Sequence, residues 1–412
     1  MKQVSRERVM LDLLVVGGGY VGLAVAVAVK QAAPHLSVEV VEAAPQMVWK
    51  KDPRASAIIA AASRMFEVFG LWDEILPEAQ PINRMIVTDS KAGDPVRPIF
   101  LTFDGVVEDG QPFAHMVPNS AMVGALLGAC ERLGIAIRNN ARASDLKNDQ
   151  GAAELTLMDG TVLRSKLVVA CDGVRSKLRD LAGIKVVKWD YGQSGIVTTV
   201  EHERPHEGCA EEHFLPAGPF AILPLKGNRS SLVWTERTAD ADRLVAADDL
   251  VFEEELERRF GHKLGAITAV ADRRAFPLGL TLSRSFIAPR LALAGDAAHG
   301  IHPISGQGLN LGFKDVAALA ETIVDADRLG LDIGSVNVLE RYQSWRRFDT
   351  FRMGVTTDVL NRMFSNDFAP LRAVRDLGLG LVDRVPGLKN YFIGEAAGLK
   401  PGGPKLLAGH GI

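Results

Sequence analysis

The stretch LDLLVVGGGYVGLAVAVAV, residues 11–29, decides the fold. It begins with an apolar run typical of a buried strand, passes through a glycine triplet and continues with small and apolar residues typical of a buried helix. Residues 38–42 predict a second strand, so the segment forms a β-α-β unit with parallel strands. Gly17, Gly19 and Gly22 stand in the order G-x-G-x-x-G between strand and helix, the context in which this motif indicates a dinucleotide site.

Each glycine of this motif has its own physical task. Gly17 allows the tight turn, Gly19 lets a pyrophosphate approach the N–H groups at the helix N-terminus, and Gly22 lets helix and strand pack closely. Glu42 ends the second strand, where a carboxylate can accept hydrogen bonds from a ribose 2'-hydroxyl. The alternative is a glycine turn kept for packing, with Glu42 as a solvated strand end.

Two later strand ends carry a carboxylate directly beside a glycine. They are CDGVRS at residues 171–176 and AGDAAH at residues 294–299. A second acidic turn suits the ribityl hydroxyls of a flavin dinucleotide, whereas a nicotinamide dinucleotide has no ribityl chain. Asp172 and Asp296 therefore favour FAD over NAD as the bound cofactor, although Asp also occurs at helix N-caps without any ligand.

The rest of the chain predicts an α/β protein with an insertion. Residues 155–158 and 161–163 predict a hairpin, residues 167–171 a separate buried strand, and residues 195–276 an inserted, mainly antiparallel sheet. Helices are expected over 309–327 and from 339 to 360. We predict a discontinuous FAD-binding domain (1–80, 113–184 and 285–355), a substrate domain (81–112 and 185–284) and a C-terminal helical region and tail (356–412).

Composition excludes several classes of function. The chain has 412 residues, a formal net charge of -3 and dispersed charges, so it has no basic stripe for nucleic acid. Its 3 cysteines are widely spaced, which predicts neither a disulfide framework nor a metal site and favours the reducing cytoplasm. The apolar run around Gly17 is interrupted by Asp12 and the glycines, so no membrane span is expected. Peripheral membrane contact is left open.

Several segments resemble the class A flavoprotein aromatic hydroxylases, and more closely the ubiquinone-biosynthesis hydroxylases among them. The most specific is GDAAHGIHPISGQGLNLG at residues 295–312, supported by GPFAILPL at 218–225, FPL at 276–278 and DPRASAI at 52–58. This resemblance covers nearly the whole chain. It implies a Rossmann-like, p-hydroxybenzoate hydroxylase-like FAD-binding fold with noncovalent FAD, and NAD(P)H as co-substrate docking transiently in the same cleft near Asp172 and Arg175.

The motifs and the resemblance together predict the site residues. Those expected to bind the cofactor are Gly17, Gly19, Gly22, Glu42, Arg54, Asn119, Asp172, Gly295, Asp296, Gly308, Leu309 and Asn310. Pro303, Gly306 and Gln307 are expected to face the flavin ring, in a loop with no assured acid or base. His299 and His302 flank that loop, and either a general-base role or simple packing is compatible with the sequence.

The resemblance implies a monooxygenase that uses NAD(P)H and O2 to hydroxylate the aromatic ring of a polyprenylated phenol or quinone precursor of ubiquinone. Alternatives are a flavin monooxygenase of soluble aromatic catabolism, an FAD-dependent dehydrogenase or reductase without oxygen insertion, and a scaffold subunit of a biosynthetic complex. Residues that either line a passage for the prenyl tail or form the core of the inserted sheet are Ile196, Val200, Phe214, Leu215, Phe220, Ile222, Leu223 and Phe276.

Overall fold

The computed structural model describes residues 10–89, 99–104, 110–149, 151–301, 307–364, 398 and 402–412. Its strands are β1 (Leu11–Val16), β2 (Val38–Val41), β3 (Ala55–Ile59), β4 (Gln80–Ile82), β5 (Arg84–Asp89), β6 (Ile99–Asp104), β7 (Ala114–Pro118), β8 (Ala136–Arg138), β9 (Ala143–Asn148), β10 (Ala153–Leu157), β11 (Val162–Ala170), β12 (Val186–His202), β13 (Cys209–Leu215), β14 (Gly218–Leu225), β15 (Arg229–Arg237), β16 (Ile267–Ala269), β17 (Arg274–Ser283), β18 (Ile287–Ala288), β19 (Leu291–Leu293) and β20 (His299–Gly300). The helices are α1 (Tyr20–Ala32), α2 (Ala60–Val68), α3 (Trp72–Ile75), α4 (Asn119–Arg132), α5 (Lys177–Leu181), α6 (Thr238–Ala246), α7 (Asp249–Phe260), α8 (Gln307–Arg328) and α9 (Val336–Phe364).

An eight-stranded sheet, here called the core sheet, has the order β18-β19-β11-β1-β2-β8, with β10 paired to β11 and β9 paired to β10. β1 is parallel to β2 and to β11, and β11 is parallel to β19. The apolar helices α1 and α8 pack with these strands in one large buried cluster. This confirms the β-α-β unit and the return of the parallel fold at residues 291–294.

A nine-stranded sheet, here called the cleft sheet, has the order β20-β17-β12-β15-β14-β13-β5-β6, with β16 on β12. Its neighbouring strands are antiparallel except for β13 and β5, which are parallel. The inserted, mainly antiparallel sheet is therefore confirmed. A three-stranded sheet, β3-β7-β4, completes the described strands.

One prediction of local structure is wrong. Residues 161–163 and 167–171 were expected to form separate strands, yet Val162 to Ala170 is one continuous strand, β11. Its first half pairs with β10 in the expected hairpin and its second half pairs with β1 in the parallel sheet. In the sequence, the polar residues Arg164, Ser165 and Lys166 look like a loop between two strands. In the structure they lie inside one strand, at the point where its pairing changes from β10 to β1.

The helix expected from 339 to 360 is present as α9, which runs from Val336 to Phe364. Most of the predicted C-terminal helical region, 356–412, lies outside the described residues. Within the described ranges, no helix combines the length and the apolar character needed to cross a bilayer.

Candidate active site

The carboxyl ends of four neighbouring core strands meet at one edge of the core sheet. Val16 of β1 lies opposite both Ala170 of β11 and Val41 of β2, and Ala170 lies opposite Leu293 of β19. The loops that follow these strands carry Gly17, Asp172, Glu42 and Asp296. Ligands of open α/β sheets bind in the crevice at this edge, so the fold brings together motifs that are far apart in sequence.

The glycine turn has the geometry that the motif predicts. Gly17 has a φ of +112°, and a Cβ there would lie 2.2 Å from the carbonyl oxygen of Cys171. A Cβ on Gly22 would lie 1.9 Å from the carbonyl oxygen of Gly17. A Cβ on Gly19 would meet nothing within 4 Å. Gly17 and Gly22 thus make the turn and the close packing, while Gly19 leaves open space in front of the N-terminus of α1.

Glu42 and Asp172 both bind backbone N–H groups. The Glu42 carboxylate accepts hydrogen bonds from the N–H groups of Gly18 at 2.5 Å and Ala44 at 2.6 Å. Glu42 is not among the residues that line the cleft. Asp172 Oδ2 accepts from Lys177 and Leu178 at the start of α5, so Asp172 does act as a cap. Its Oδ1 is buried and has no partner among the described groups, which leaves one acceptor for a ligand.

Asp296 differs from Asp172 because no described group donates a hydrogen bond to its carboxylate. The Asp296 side chain lines the cleft, so it is exposed to solvent there while protein atoms surround it closely. Desolvation raises the pKa of Asp296, while the positive charges of His299 and Arg54 partly oppose that rise. Such a carboxylate can accept hydrogen bonds from the hydroxyl groups of a ligand, and its assignment to the ribityl chain stays a prediction.

Asp52 is a site residue that the sequence reasoning missed. Its carboxylate binds the Arg54 guanidinium in a bidentate pair with both N···O distances at 2.8 Å, and it also accepts from Asn119 Nδ2 at 3.3 Å. Asn119 in turn accepts from Ser56. This ion pair raises the pKa of Arg54 and fixes the guanidinium at the cleft. The signal was in the DPR segment at residues 52–54, where only the arginine was given a role.

Tyr20, also missed, lines the cleft within the glycine motif. Burial raises the pKa of Tyr20 to about 12, with a further contribution from the negative charge of Asp296. The phenol therefore stays neutral and can donate a hydrogen bond in the cleft. Nothing in the glycine spacing distinguishes this position from a packing residue.

A cleft of about 570 Å³, here called the central cleft, joins these groups to the cleft sheet. Its volume falls within the range of about 300–1,000 Å³ that is usual for small-molecule sites. One wall carries Gly18 to Gly22, Arg54, Asp296, Gly308 and Leu309. The facing wall is formed by one face of β13, β14 and β15, whose contributing residues are Ala210, Glu212, Pro219, Ala221, Leu223, Val233 and Thr235.

For each of eight residues the sequence left open whether the side chain lines a passage for the tail or forms the core of the inserted sheet. Of these residues, Leu223 lines the central cleft, whereas Phe214 and the others do not. The side chains that instead form a buried core with α6 and α7 are Ile196, Val200, Leu215, Phe220 and Ile222, whereas Phe276 contacts the Arg54 guanidinium. Successive strand residues face opposite sides, and the larger apolar side chains face the helices. The small residues between them face the cleft.

The start of α8 also borders the central cleft. Gly308 and Leu309 line it. The Asn310 side chain is buried and donates to the carbonyl of Ala57, while its Oδ1 accepts from the N–H of Ile59, so its amide holds α8 against β3. Gln307 is the first residue of α8, and its role stays a prediction. Pro303, Gly306 and His302 lie outside the described residues.

His299 is fully buried in an ion network. Its Nε2 lies 2.5 Å from Asp315 Oδ2, and Asp315 Oδ1 accepts from Arg346 at 2.7 Å. Burial raises the pKa of Asp315, but the positive charges of His299 and Arg346 outweigh that effect and lower it overall. The carboxylate also accepts from the N–H of Gly295. These contacts favour the packing alternative for His299, which supports the turn that carries Asp296.

These residues fit FAD. The open space at Gly19 and the N-terminus of α1 suit a pyrophosphate. The acceptor-only groups Glu42, Asp172 and Asp296 suit the ribose and ribityl hydroxyls. Polar atoms left without a partner near the cleft, Trp49 Nε1 and Asp172 Oδ1 among the described residues, give a ligand further groups to satisfy.

Comparisons with known proteins agree with this geometry. Residues 10–347 match the FAD binding domain family. A solved structure of Klebsiella pneumoniae R204Q HpxO complexed with FAD superposes with a TM-score of 0.77 at 18% identity, covering 95% of this chain and 99% of that one. At this identity the likeness shows the fold. The family match and the site together define the chain as a flavoprotein that binds FAD.

Two relatives are similar over nearly their full length. Ubiquinone hydroxylase UbiL of Rhodospirillum rubrum is 45% identical over 405 residues, which cover 97% of this chain and 92% of that protein. The 3-demethoxyubiquinol 3-hydroxylase of Escherichia coli is 35% identical over 392 residues, covering 94% of this chain and 98% of that protein. The chain belongs to the family of ubiquinone-biosynthesis hydroxylases.

Proposed function

We propose that this protein uses FAD, NAD(P)H and O2 to hydroxylate the aromatic ring of a polyprenylated ubiquinone precursor. One observation carries the proposal: a single cleft runs from the glycine turn and Asp296 to a wall of small, mostly apolar side chains on the cleft sheet. A ring can lie flat against such a wall beside the cofactor. The names of the UbiL and Escherichia coli relatives give the substrate class.

The geometry of the described residues supports a set of proposed cofactor contacts. Gly17 to Gly22 and Arg54 are proposed to hold the pyrophosphate, Glu42 the ribose and Asp296 the ribityl chain. Asn119 acts through Asp52, which orients Arg54, because its side chain does not line the cleft. Gly308, Leu309 and Gln307 are proposed to face the flavin ring, where the N-terminus of α8 favours negative charge. Pro303 and Gly306, which lie outside the described residues, are proposed for the same place from the family resemblance alone.

Bound FAD, reduced by NAD(P)H, supplies the oxygen-transfer chemistry. The protein binds the ring beside the flavin, excludes water and keeps positive charge near the cofactor. Few acid or base side chains are needed for this, and His299 is buried away from the cleft. We propose that NAD(P)H docks beside Asp172, whose Oδ1 has no described partner.

The prenyl tail is proposed to lie along the apolar end of the cleft, formed by Ile82, Met85, Phe113 and Leu223. Each CH2 group that the tail buries contributes about 0.8 kcal/mol. Affinity should therefore rise with prenyl length until this end of the cleft is filled. A soluble phenol without a tail should bind weakly.

A tail of this kind resides in a membrane, and we propose that the protein is cytoplasmic and contacts the bilayer peripherally. Phe348 and Phe351 of α9 are 75% and 59% exposed, and Val355 and Val359 continue the same helix face. Exposed apolar residues at this spacing suit an interface. Replacing Phe348 and Phe351 by Ser should reduce flotation with anionic phospholipid vesicles and leave FAD content unchanged. Equal flotation would remove the proposal for this face.

The division into an FAD-binding domain (1–80, 113–184 and 285–355), a substrate domain (81–112 and 185–284) and a C-terminal region (356–412) is likewise a proposal. It is supported by the grouping of strands into the core sheet and the cleft sheet. Limited proteolysis of the FAD-loaded protein should cut near these boundaries. Cleavage inside the sheets would speak against them.

The decisive experiment compares a prenylated phenol with its tail-free analogue. NAD(P)H oxidation, O2 uptake and hydroxylated product should be stoichiometric with the prenylated compound and slow with the other, and quinone intermediates should accumulate in cells lacking the gene. Equal efficiency on both, with unchanged cellular quinones, would favour soluble aromatic catabolism. NAD(P)H oxidation without oxygen insertion would favour a reductase.

A further inference from the structure

Two polar side chains interrupt the otherwise small and apolar wall of the cleft sheet. Glu212 of β13 lies in register with Ala221 of β14 and Val233 of β15. Thr235 lies farther along β15. Both line the central cleft, and they are only 4% and 2% exposed. Sequence reasoning gave neither residue a role, because a lone Glu or Thr within a predicted strand does not belong to any recognised motif.

Burial makes the position of Thr235 costly unless its hydroxyl serves a purpose. A buried hydroxyl without a hydrogen bond costs roughly 1–3 kcal/mol. Thr235 Oγ1 is buried and has no partner among the described residues. The methyl group of Thr235 packs against Gly218, where an added Cβ would lie 2.4 Å from Thr235 Cγ2. That contact fixes the side chain and leaves its hydroxyl for a ligand.

Glu212 supplies a different kind of group. A carboxylate has two oxygens with about four acceptor sites, so it can serve a ligand as well as contacts within the protein. When ionised it accepts hydrogen bonds and cannot donate one. A ring hydroxyl facing Glu212 can donate, whereas a quinone carbonyl facing it would bring two acceptors together.

We propose that Glu212 accepts a hydrogen bond from a ring hydroxyl of the substrate and that Thr235 binds a second ring oxygen. The site then selects a phenol or hydroquinone and rejects the quinone. β13 and β15 are separated only by β14, so their axes lie roughly 10 Å apart, a span that a ring and two side chains can bridge. A hydrogen bond to a carboxylate also raises electron density on the ring carbons ortho and para to the hydroxyl, which ring hydroxylation requires. This inference rests on the proposed function.

The test measures binding without turnover. FAD-loaded protein, with no NAD(P)H present, is titrated with 2-geranylphenol, its methyl ether and 2-geranyl-1,4-benzoquinone, using the flavin absorbance as the signal. The wild-type protein should bind the phenol at least about tenfold more tightly than the ether or the quinone, the difference expected when a charge-assisted hydrogen bond is lost. Glu212→Gln, which can donate as well as accept, should lose most of that preference.

Glu211→Gln is the matched control. Glu211 is the neighbouring residue on β13, but its side chain faces the other side of the sheet, where it pairs with His213 and Lys263. It should keep the preference for the phenol. Thr235→Val, which keeps the shape and removes the hydroxyl, should weaken binding of 2-geranylhydroquinone more than that of 2-geranylphenol. FAD content serves as the folding control for each variant.

Two outcomes would overturn the inference: a wild-type protein with no preference for the phenol, or equal loss of preference in Glu211→Gln and Glu212→Gln. The proposed function is tested separately, by whether the wild-type protein converts 2-geranylphenol to a hydroxylated product. A preference for phenols without any hydroxylation would refute the proposed function while supporting the binding role of Glu212.

Discussion

Replacing Asp296 by Ala should lower the affinity for FAD far more than it lowers the stability of the fold. No described group donates to the Asp296 carboxylate, so its removal breaks no hydrogen bond within the described part of the chain. The FAD-free protein should therefore change its free energy of unfolding by no more than about 0.5 kcal/mol, as for substitutions away from key contacts. In the proposed role, the lost interactions are those with the ribityl hydroxyls.

A hydrogen bond to a charged group contributes about 1.5–3 kcal/mol. At 1.4 kcal/mol per tenfold change in affinity, the dissociation constant for FAD should rise roughly 10- to 100-fold. Asp296→Asn is the matched variant, because it keeps the shape and one acceptor but removes the charge. It should fall between the wild-type protein and Asp296→Ala.

The pH dependence of FAD binding provides a second measure. Desolvation raises the pKa of Asp296, and only the ionised form accepts fully from the ribityl hydroxyls. FAD should therefore bind most tightly above this raised pKa, and its affinity should fall as the pH decreases through that value. The fall should occur at a higher pH than it would for an ordinary Asp. The sign is opposite for folding of the FAD-free protein, because protonation at low pH removes the cost of the desolvated charge.

Reconstitution of the apoprotein, followed by quenching of FAD fluorescence at several pH values, gives the dissociation constants. Urea unfolding of the apoprotein gives the stability. Asp296→Asn should lose the part of the pH dependence that the wild-type protein shows in the acidic range. Unchanged FAD affinity in Asp296→Ala, or a loss of apoprotein stability as large as the loss of binding energy, would refute the assignment of Asp296 to the ribityl chain.

Three further predictions use contrasts within the chain. Gly22→Ala should prevent folding or FAD binding because its Cβ would lie 1.9 Å from a carbonyl oxygen, whereas Gly19→Ala, with open space around the Cβ, should fold and lose FAD affinity. Thermal melts with and without FAD compare the two variants, and an unaffected Gly22→Ala would contradict the packing argument. Asp172→Ala should cost about 1 kcal/mol of stability as a lost cap and should also slow flavin reduction by NAD(P)H in stopped-flow measurements; a normal rate would leave Asp172 as a cap alone. Asp315→Asn should lower the free energy of unfolding in urea by about 3–5 kcal/mol because it breaks a buried ion network. Asp327→Asn, at the surface pair with His35, should lower it by about 1 kcal/mol or less, and similar losses in both variants would mean that the buried network is not strongly coupled.

The parts of the site that lie at strand ends could be predicted from the sequence. Gly17, Asp172 and Asp296 each follow a short apolar strand, and parallel strands bring their carboxyl ends to one edge. Each motif and the strand before it can be recognised from neighbouring residues in the sequence. The parallel topology then brings the strand ends together. The β-α-β unit, the inserted sheet and the long C-terminal helix were predictable for the same reason.

The residues of the facing wall could not be predicted in this way. A strand with larger apolar residues at every second position can turn those residues either towards the cleft or towards the helices. A shift of one residue in the strand register exchanges the two faces. For Phe220 and Ile222 the sequence left both the cleft and the sheet core open, and the structure buries them in the core with α6 and α7. Glu212 and Thr235 were missed because their place in the cleft depends on how segments distant in sequence pack together. Asp52 could have been found, because it pairs with Arg54 only two residues further on.

The interleaving of the two large sheets along the chain has a consequence for how the protein folds and can be engineered. The core sheet takes its strands from residues 11–41, 136–170 and 287–293, and the cleft sheet from residues 84–104, 186–283 and 299–300. Neither layer is contiguous, so a fragment such as 186–283 lacks β5 and both edge strands, β6 and β20. Strand pairs such as β11 with β19 and β13 with β5 join segments far apart in the chain, which slows folding. The whole chain should behave as one cooperative unit, and FAD should raise its unfolding midpoint by mass action.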